Sequence, residues 1–329
     1  MALIFSSGSK GTMHSPSIQN IRSNSRRGDK IYLGVLGFAA LVLFVLIVGI
    51  AATLAWQSRL SLQATGLKFV TLSVWDDAAG VYGIWPFLFG TLYSSLLALL
   101  LAVPISLGAA IFLAELCPKW LRTPITFLIE LLAAIPSVVY GLWGIFVLTP
   151  FLRDKLMTPL AGKNIPLLSG AGYGPSMLTA GVILAIMILP FITAVSRDIL
   201  QAIPKAQREA SYGLGGTKWE TISKVVLPYS RSGIIGAVML GLGRAFGETM
   251  AVTMVIGNQP AQTDSGISFN LFEPGYTMSS ALANKFNEAQ PGLSTSALIE
   301  IGLVLFLVAV FINTLARILV RYTGKSVNK

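Results

Sequence analysis

The sequence predicts an all-α polytopic membrane protein with six transmembrane helices, and three observations predict it. Of its 329 residues, 54% are hydrophobic and 12% are charged, too apolar a balance for a soluble domain. Apolar runs of about twenty residues recur along the chain, the length at which a helix crosses a bilayer. Lys and Arg gather in alternate connecting segments. Seventeen fall on the side assigned to the cytoplasm, six on the other, and Arg244 lies within a span. That asymmetry orients the spans and puts both termini inside. It also accounts for the net charge of +10 without a nucleic-acid partner. The single cysteine, Cys117, excludes an intrachain disulfide and is too little for a zinc site.

Residues 1–30 are rich in Ser, Asn, Gly and Arg and hold the lone His14, the composition of a disordered cytoplasmic tail. The apolar run after it is too long for a signal peptide and has no cleavage pattern. Ile31–Trp56 is the first span, preceded closely by Arg22, Arg26, Arg27 and Lys30, which hold that end inside. Residues 57–85 are external, with Trp75 and Trp85 at interface depth. Pro86–Leu116 is the second span, interrupted by Pro104 and Gly108, and Cys117–Pro124 is a short inside loop. In the third span, Ile125–Leu148, Pro136 predicts an ordinary kink whose freed carbonyl needs a new partner. Residues 149–174 form a Gly/Pro-rich external loop. The fourth span, Pro175–Ser196, leads into a polar loop from Arg197 to Arg231. Ser232–Ile256 is the fifth span, 257–292 the largest external segment, Leu293–Val320 the sixth span, and 321–329 a short cytoplasmic tail.

The polar loop carries the strongest local signals. Pro204 suits a helix start, and Gly215-Gly216 suits its end because glycine tolerates a left-handed backbone. Thr217 with Glu220 three residues later is a capping-box pattern. The pattern predicts two short helices at a sharp angle, tied to the bilayer at both ends. A DNA-reading helix-turn-helix needs a free face for the major groove, which this tethered loop lacks. The segment resembles a signature of the permease subunits of binding-protein-dependent ABC importers: E-A-A, three residues, G, nine residues, I-x-L-P. Glu209, Ala210, Ser211, Gly215, Leu227 and Pro228 fall at those positions, with Ser211 replacing the second alanine and Val225 the isoleucine. The resemblance implies a type I, MetI-like permease architecture and a loop that docks on an ATPase. Residues 86–320 are then a five-helix permease core. The run Gly324-Lys325-Ser326 looks like the end of a P-loop, but the required earlier glycine is Leu319. The expectation is a transport subunit, not an enzyme, with no cofactor of its own; ATP and Mg belong to the partner ATPase.

The fifth span carries Gly243, Arg244, Gly247 and Glu248. Arg244 sits roughly 18 Å past the inner boundary at helical rise, near the midplane. An arginine there costs about 2.5–3.5 kcal/mol on insertion scales and must face protein or water. One helical turn separates Arg244 from Glu248 on one face, where the two can pair, either as a structural ion pair locking helices or, the favoured reading, as groups lining an anion's path. Gly243 and Gly247, similarly spaced, are expected to admit a close helix. A guanidinium fork suits a tetrahedral oxyanion. From the residues alone, phosphate, sulfate and molybdate are not separated, and an ATP-independent anion transporter or channel stays open. A membrane enzyme lacks a nucleophile, base and orienter set.

The run from Arg244 to Asn258, with Ile135 to Gly141 earlier, is similar to the PstC-type permeases of phosphate ABC importers, from about Trp75 to the last span. That resemblance implies that Arg244 and Glu248 act in phosphate translocation, with Ser137 and Tyr140 as candidates to line the path. It implies a second, PstA-like permease as heterodimer, a PstB-like cytoplasmic ATPase dimer and a PstS-like external phosphate-binding protein, in a bacterial inner membrane. Glu130 and Glu300, near span ends, are expected to reach water.

Overall fold

The computed structural model describes residues 18–325, except 67, 78, 162, 164, 166, 169–171, 260, 261, 264 and 265. The chain divides into two compact units, Met1–Thr53 and Leu54–Lys329. Helix α1 (Ile18–Gln57) supplies the first unit and is apolar all round from residue 31 to 50, as a lipid-facing span is. Residues 18–30, expected to be disordered, are its first turns: no proline interrupts them, so the helix propagates upstream of the apolar run. The rest of the expected tail, 1–17, lies outside the described residues, as do 326–329 of the C-terminal tail.

The second unit opens with structure where only an external segment was expected. Helices α2 (Arg59–Thr65) and α3 (Lys68–Thr71) precede a small hairpin, β1 (Trp75–Asp76) with β2 (Val81–Tyr82), paired Trp75 to Tyr82. Helix α4 (Trp85–Ile111) runs straight through Pro104 and Gly108 and ends in a π turn, Phe112–Leu116. The expected loop after it shrinks to Cys117 and Pro118, because α5 (Lys119–Ala134) begins at once and absorbs Pro124.

At Pro136 the expected kink is a break. Helix α6 (Ser137–Trp143) continues through a π turn (Gly144–Leu148), α7 (Thr149–Leu152), a second π turn (Arg153–Met157) and α8 (Thr158–Leu160). This rod lies 89° from α5. Much of the loop expected over 149–174 is therefore helix. Proline at 136 withholds a bond from the carbonyl four residues back, Leu132. The Tyr140 hydroxyl donates to that carbonyl at 2.8 Å, and Ile135 N shares it at 3.3 Å. The freed acceptor is satisfied from within the chain, which allows the break inside an apolar environment.

Three of the prolines within continuous rods share one setting, whereas Pro104, Pro124 and Pro190 lie inside α-helices. Pro150, Pro159 and Pro228 each come second after a π turn. The wider π turn already lacks the regular bond to the carbonyl four residues back, so the ring displaces nothing further.

Helix α9 (Met177–Gln201) is the central post, with 67% of its apolar window buried. Ser176 caps it by accepting from Thr179 N at 3.2 Å. It packs on α4, where Ala98 and Ala102 meet a core that includes Ile183, Leu184 and Ile188. Small residues let the two backbones approach. Two hydrogen bonds join them as well: Ser106 Oγ donates to Leu189 O at 3.1 Å and Thr193 Oγ1 to Ser106 O at 3.4 Å. After α9 come α10 (Lys205–Gly213) and α11 (Lys218–Thr221), then a π turn (Ile222–Val226) leading into α12 (Leu227–Gly247). The second elbow helix is therefore not a short one; it is continuous with the fifth span over Lys218–Gly247. A six-residue helix, α13 (Met250–Val255), follows a second break. The paired strands β3 (Gln262–Thr263) and β4 (Gly266–Ile267), helix α14 (Met278–Lys285) and helix α15 (Leu293–Lys325) complete the fold. Residues 321–325, expected to belong to the tail, extend α15. Among the described residues five helices are long and apolar enough to cross a membrane, and α5 with the α6–α8 rod makes a sixth if the bent pair is one crossing.

Gly141 marks where the two breaks meet. A Cβ there would lie 2.6 Å from Met254 Sδ and 3.0 Å from Ala251 Cα of α13, whereas Gly108 has open space. Gly141→Ala is expected to destabilise the protein by about 1–3 kcal/mol through overpacking, and Gly108→Ala, in open space inside α4, to leave it as stable or raise its stability by up to about 1 kcal/mol. Thermal unfolding of both variants in detergent checks this; equal midpoints would contradict the packing.

Candidate functional site

The second break lies between Gly247 and Met250. The run before it contains Gly241, Gly243 and Gly247, and each glycine weakens a helix by about 1 kcal/mol relative to alanine. Glu248 leaves the helix with φ −72° and ψ 124°. Its backbone polar groups are then met locally. Glu248 Oε1 accepts from Ala251 N at 3.2 Å, satisfying an open donor at the start of α13. Glu248 O accepts from Ser279 Oγ of α14 at 2.8 Å. Thr253 Oγ1 donates to Thr249 O at 2.7 Å, and Asn258 Nδ2, on a residue with φ 54°, donates to Thr253 O at 2.7 Å.

This geometry corrects the expected Arg244–Glu248 pair. The one-turn relation needs a continuous helix, and the helix stops between them. Arg244 lies exposed in the last turn of α12, and it forms no ion pair among the described residues. Tyr140, buried on α6, lies within electrostatic reach of its guanidinium. Ser137 is half-buried in the first turn of α6. Helices α6 and α13 pack directly, Gly141 on Ala251 and Gly144 on Val255. The two breaks thus gather Arg244, Glu248, Tyr140 and the start of α6 into one region. A Cβ added at Gly243 or Gly247 would meet no described atom within 4 Å beyond the helix's own backbone, so the close helix expected there is not among the described helices. A guanidinium without a carboxylate partner, in a span, is a strong site for an anion with two acceptor oxygens.

The elbow is a second surface. Gly215 takes φ +82°, the left-handed turn expected of it, and a Cβ there would meet open space, so only the backbone conformation demands glycine. The expected capping box forms: Thr217 Oγ1 accepts from Glu220 N at 3.3 Å, and Glu220 Oε2 accepts from Thr217 N at 3.0 Å. Ser211 uses its hydroxyl to bind Thr221 Oγ1 at 2.9 Å, joining α10 to α11. Alanine at that position has no such group. Glu209, Ala210 and Pro228 are exposed, Leu227 is half-buried, and Leu214 stands 91% exposed beside Tyr212 and Trp219. A groove of about 420 Å³ between the two helices is lined by Ala210, Ser211 and Val225 among others.

Sequence reasoning missed two buried acids. Glu115, in the π turn that ends α4, pairs with Arg208 of α10 at 2.6 Å, and only 9% of its side chain is exposed. Glu300, expected at a solvated end, is 3% exposed, because the α2 segment packs across the start of α15 beside it. No local pattern marks either one, since both find their surroundings from distant parts of the chain. Glu130 stays partly in solvent and reaches Arg197 at 3.5 Å, which also pairs with Asp198 at 2.7 Å.

The profile of the family described as "Binding-protein-dependent transport system inner membrane component" matches residues 102–329. Among curated proteins, the chain is 46% identical over 289 residues to the phosphate transport system permease protein PstC of Pasteurella multocida, covering 86% of this chain and 88% of that one. It is 44% identical to the PstC protein of Haemophilus influenzae over 89% and 93%. It is 36% identical to the probable PstC protein of Methanocaldococcus jannaschii over 84% and 87%. Among solved structures, a bacterial alginate ABC transporter chain superposes with TM-score 0.60 at 17% identity, over 92% of this chain and 98% of that one. A MetNI methionine ABC transporter chain gives 0.51 at 19%, over 73% and 94%. At those identities the structures speak for the fold alone.

Glu220 supplies a check on the elbow. The Thr217 backbone N–H, with Lys224 and the Thr217 hydroxyl, holds its carboxyl at about 2, below the ordinary 4.5. A depressed folded value means that its contribution to stability is present above 4.5 and is lost as pH falls through about 2. Carboxyl NMR of the detergent-solubilised chain should place the Glu220 midpoint near pH 2, moving up toward 4.5 in Thr217→Ala. A wild-type midpoint at the ordinary value would show that the box does not form.

Proposed function

The chain belongs to the family of binding-protein-dependent transport system inner membrane components, and from that premise we infer that it is the permease subunit of an ATP-driven importer of inorganic phosphate. The cargo reading rests on the similarity to PstC proteins along most of both chains. The single structural observation that carries the mechanism is Arg244, a cation without a carboxylate partner among the described residues, in the last turn of α12 before the break. Phosphate offers oxygens for two parallel guanidinium bonds. Ser137 and Tyr140, on the neighbouring broken element, are the candidates to line the path, although the Tyr140 hydroxyl is already donated to Leu132 O. Glu248 shapes the break with its carboxylate and, being an anion beside the path, disfavours a sulfate dianion, while phosphate keeps a proton near neutral pH that the carboxylate can accept as a hydrogen bond.

The open glycine face of α12 supports a second permease subunit, PstA-like, completing the path against Gly243 and Gly247. The exposed Tyr212, Leu214 and Trp219 around Glu209 support an apolar-rimmed dock for a PstB-like ATPase dimer, which brings its own ATP and Mg. A PstS-like binding protein delivers phosphate from the opposite side. The distribution of Lys and Arg supports cytoplasmic termini and a cytoplasmic elbow. Closure of the ATPases then rocks the spans so that the central region opens alternately to each side. A carrier that works without ATP has no use for such an elbow.

Reconstitution of the chain with these partners in vesicles, followed by radiolabelled phosphate uptake, tests the reading. Arg244→Ala is expected to lower uptake by roughly 10–100-fold, the value of one charged hydrogen-bonding partner, with the ATPase still assembled. Glu248→Gln keeps an acceptor for Ala251 N, so it is expected to fold normally and to narrow the preference for phosphate over sulfate. Uptake and preference both unaffected by the two substitutions would remove Arg244 and Glu248 from the path.

A further inference from the structure

Helix α10 has nine residues, and an ATPase pressing on its outer face moves the spans only if its inner face is fixed to them. Arg208 is the residue that faces inward, next to exposed Glu209, with 17% of its side chain exposed. Its guanidinium makes contacts on three sides. Nη2 and Nε bind Glu115 Oε1 at 2.6 Å and 3.1 Å, with Nε also 3.4 Å from Oε2. Nη2 donates to Leu200 O at 2.7 Å, and Nη1 to Ile203 O at 2.7 Å. Glu115 belongs to the end of α4, and the two carbonyls belong to the end of α9 and the residues just past it. A planar fork with five fixed donors can hold such a set; an ammonium cannot.

The surroundings are built for a rigid joint. Ala110, Leu200, Ile203 and Val226 form a separate buried cluster there, with Ala114 and Leu227 packed on it. Arg122 braces the same end of α4 by donating to Ala114 O at 3.1 Å and Cys117 O at 3.4 Å. Helices α4 and α9 are already joined through Ser106. A force on α10 that passes through Arg208 therefore moves α4 and α9 together.

We propose that Arg208, paired with Glu115, is the positioning residue that fastens the coupling helix to α4 and α9 and so ties ATP hydrolysis to transport. This rests on the reading of the elbow as the ATPase dock. It assigns Arg208 no contact with the ATPase and none with the cargo.

The complete transporter in vesicles, with uptake and hydrolysis measured together, provides the test. In Arg208→Ala the ATPase subunit is expected to stay bound and to hydrolyse ATP, while the ATP consumed per phosphate rises roughly tenfold or more, within the range of ordinary coupling energies. Arg208→Lys keeps the charge and loses the fork, and is expected to fall between. If Arg208→Ala does not reach the membrane, Glu115→Gln, which preserves shape, is expected to raise the same ratio. Replacing the ion pair by a covalent tie is the decisive arm. Glu115→Cys with Arg208→Cys, in a Cys117→Ser background and joined by a thiol crosslinker, is expected to restore the ratio toward wild type. An unchanged ratio in Arg208→Ala or Glu115→Gln, release of the ATPase subunit, or no recovery on crosslinking overturns the proposal. Failure of the cargo reading shows separately, as a wild-type complex that hydrolyses ATP and takes up no phosphate.

Discussion

In hydrocarbon, every backbone N–H and C=O needs a partner supplied by the protein, and this constraint organises the chain. Where the helices are regular the requirement is met automatically. Where they break, the structure supplies a named side chain for each loose group: the Tyr140 hydroxyl for Leu132 O, the Glu248 carboxylate for Ala251 N, the Ser279 hydroxyl for Glu248 O. Before Pro150, Pro159 and Pro228 a π turn takes the place of the regular ladder. The breaks are therefore compensated features of the fold, and their positions decide where the polar chemistry lies.

The charges divide by the same logic. Arg208 and Glu115 are buried and fully engaged with one another and with helix-end carbonyls. Breaking such a pair leaves an uncompensated charge, which costs several kcal/mol. Arg197 is likewise paired, with Asp198 and Glu130. Arg244 differs: it stands exposed in the last turn of its helix and forms no ion pair among the described residues. A cation left in that state is costly in a membrane unless water or an anion accompanies it, and a path for an anion removes the cost.

The elbow connects the two sets. Its outward side is apolar and exposed around Leu214, and its inward side is an ion pair embedded in a small apolar cluster. Its second helix flows without interruption through a π turn into α12, whose last turn holds Arg244. One continuous rod therefore runs from the elbow to the unpaired cation, and the Arg208 joint attaches the same elbow to the α4–α9 post. Motion at the elbow has two rigid routes into the core.

Much of this was legible in the chain itself. Apolar run length set the spans, because crossing hydrocarbon has a fixed length requirement. Gly215, Thr217 and Glu220 set the elbow turn, because a left-handed residue and a capping box act within a few residues. The family resemblance singled out Arg244 and Glu248, which the two breaks do bring into one region, but their assumed pairing required an unbroken helix. That break, the 89° turn at Pro136 and the burial of Glu300 depend on contacts made from elsewhere in the chain: Ser279 to Glu248, α13 onto Gly141, α2 across α15. Arg208 finds Glu115 across 93 positions, and no local periodicity encodes such a meeting. Propensity and spacing act over short range and determined the elements; which polar groups found partners, and which stayed unpaired among the described residues, was decided only when distant segments packed.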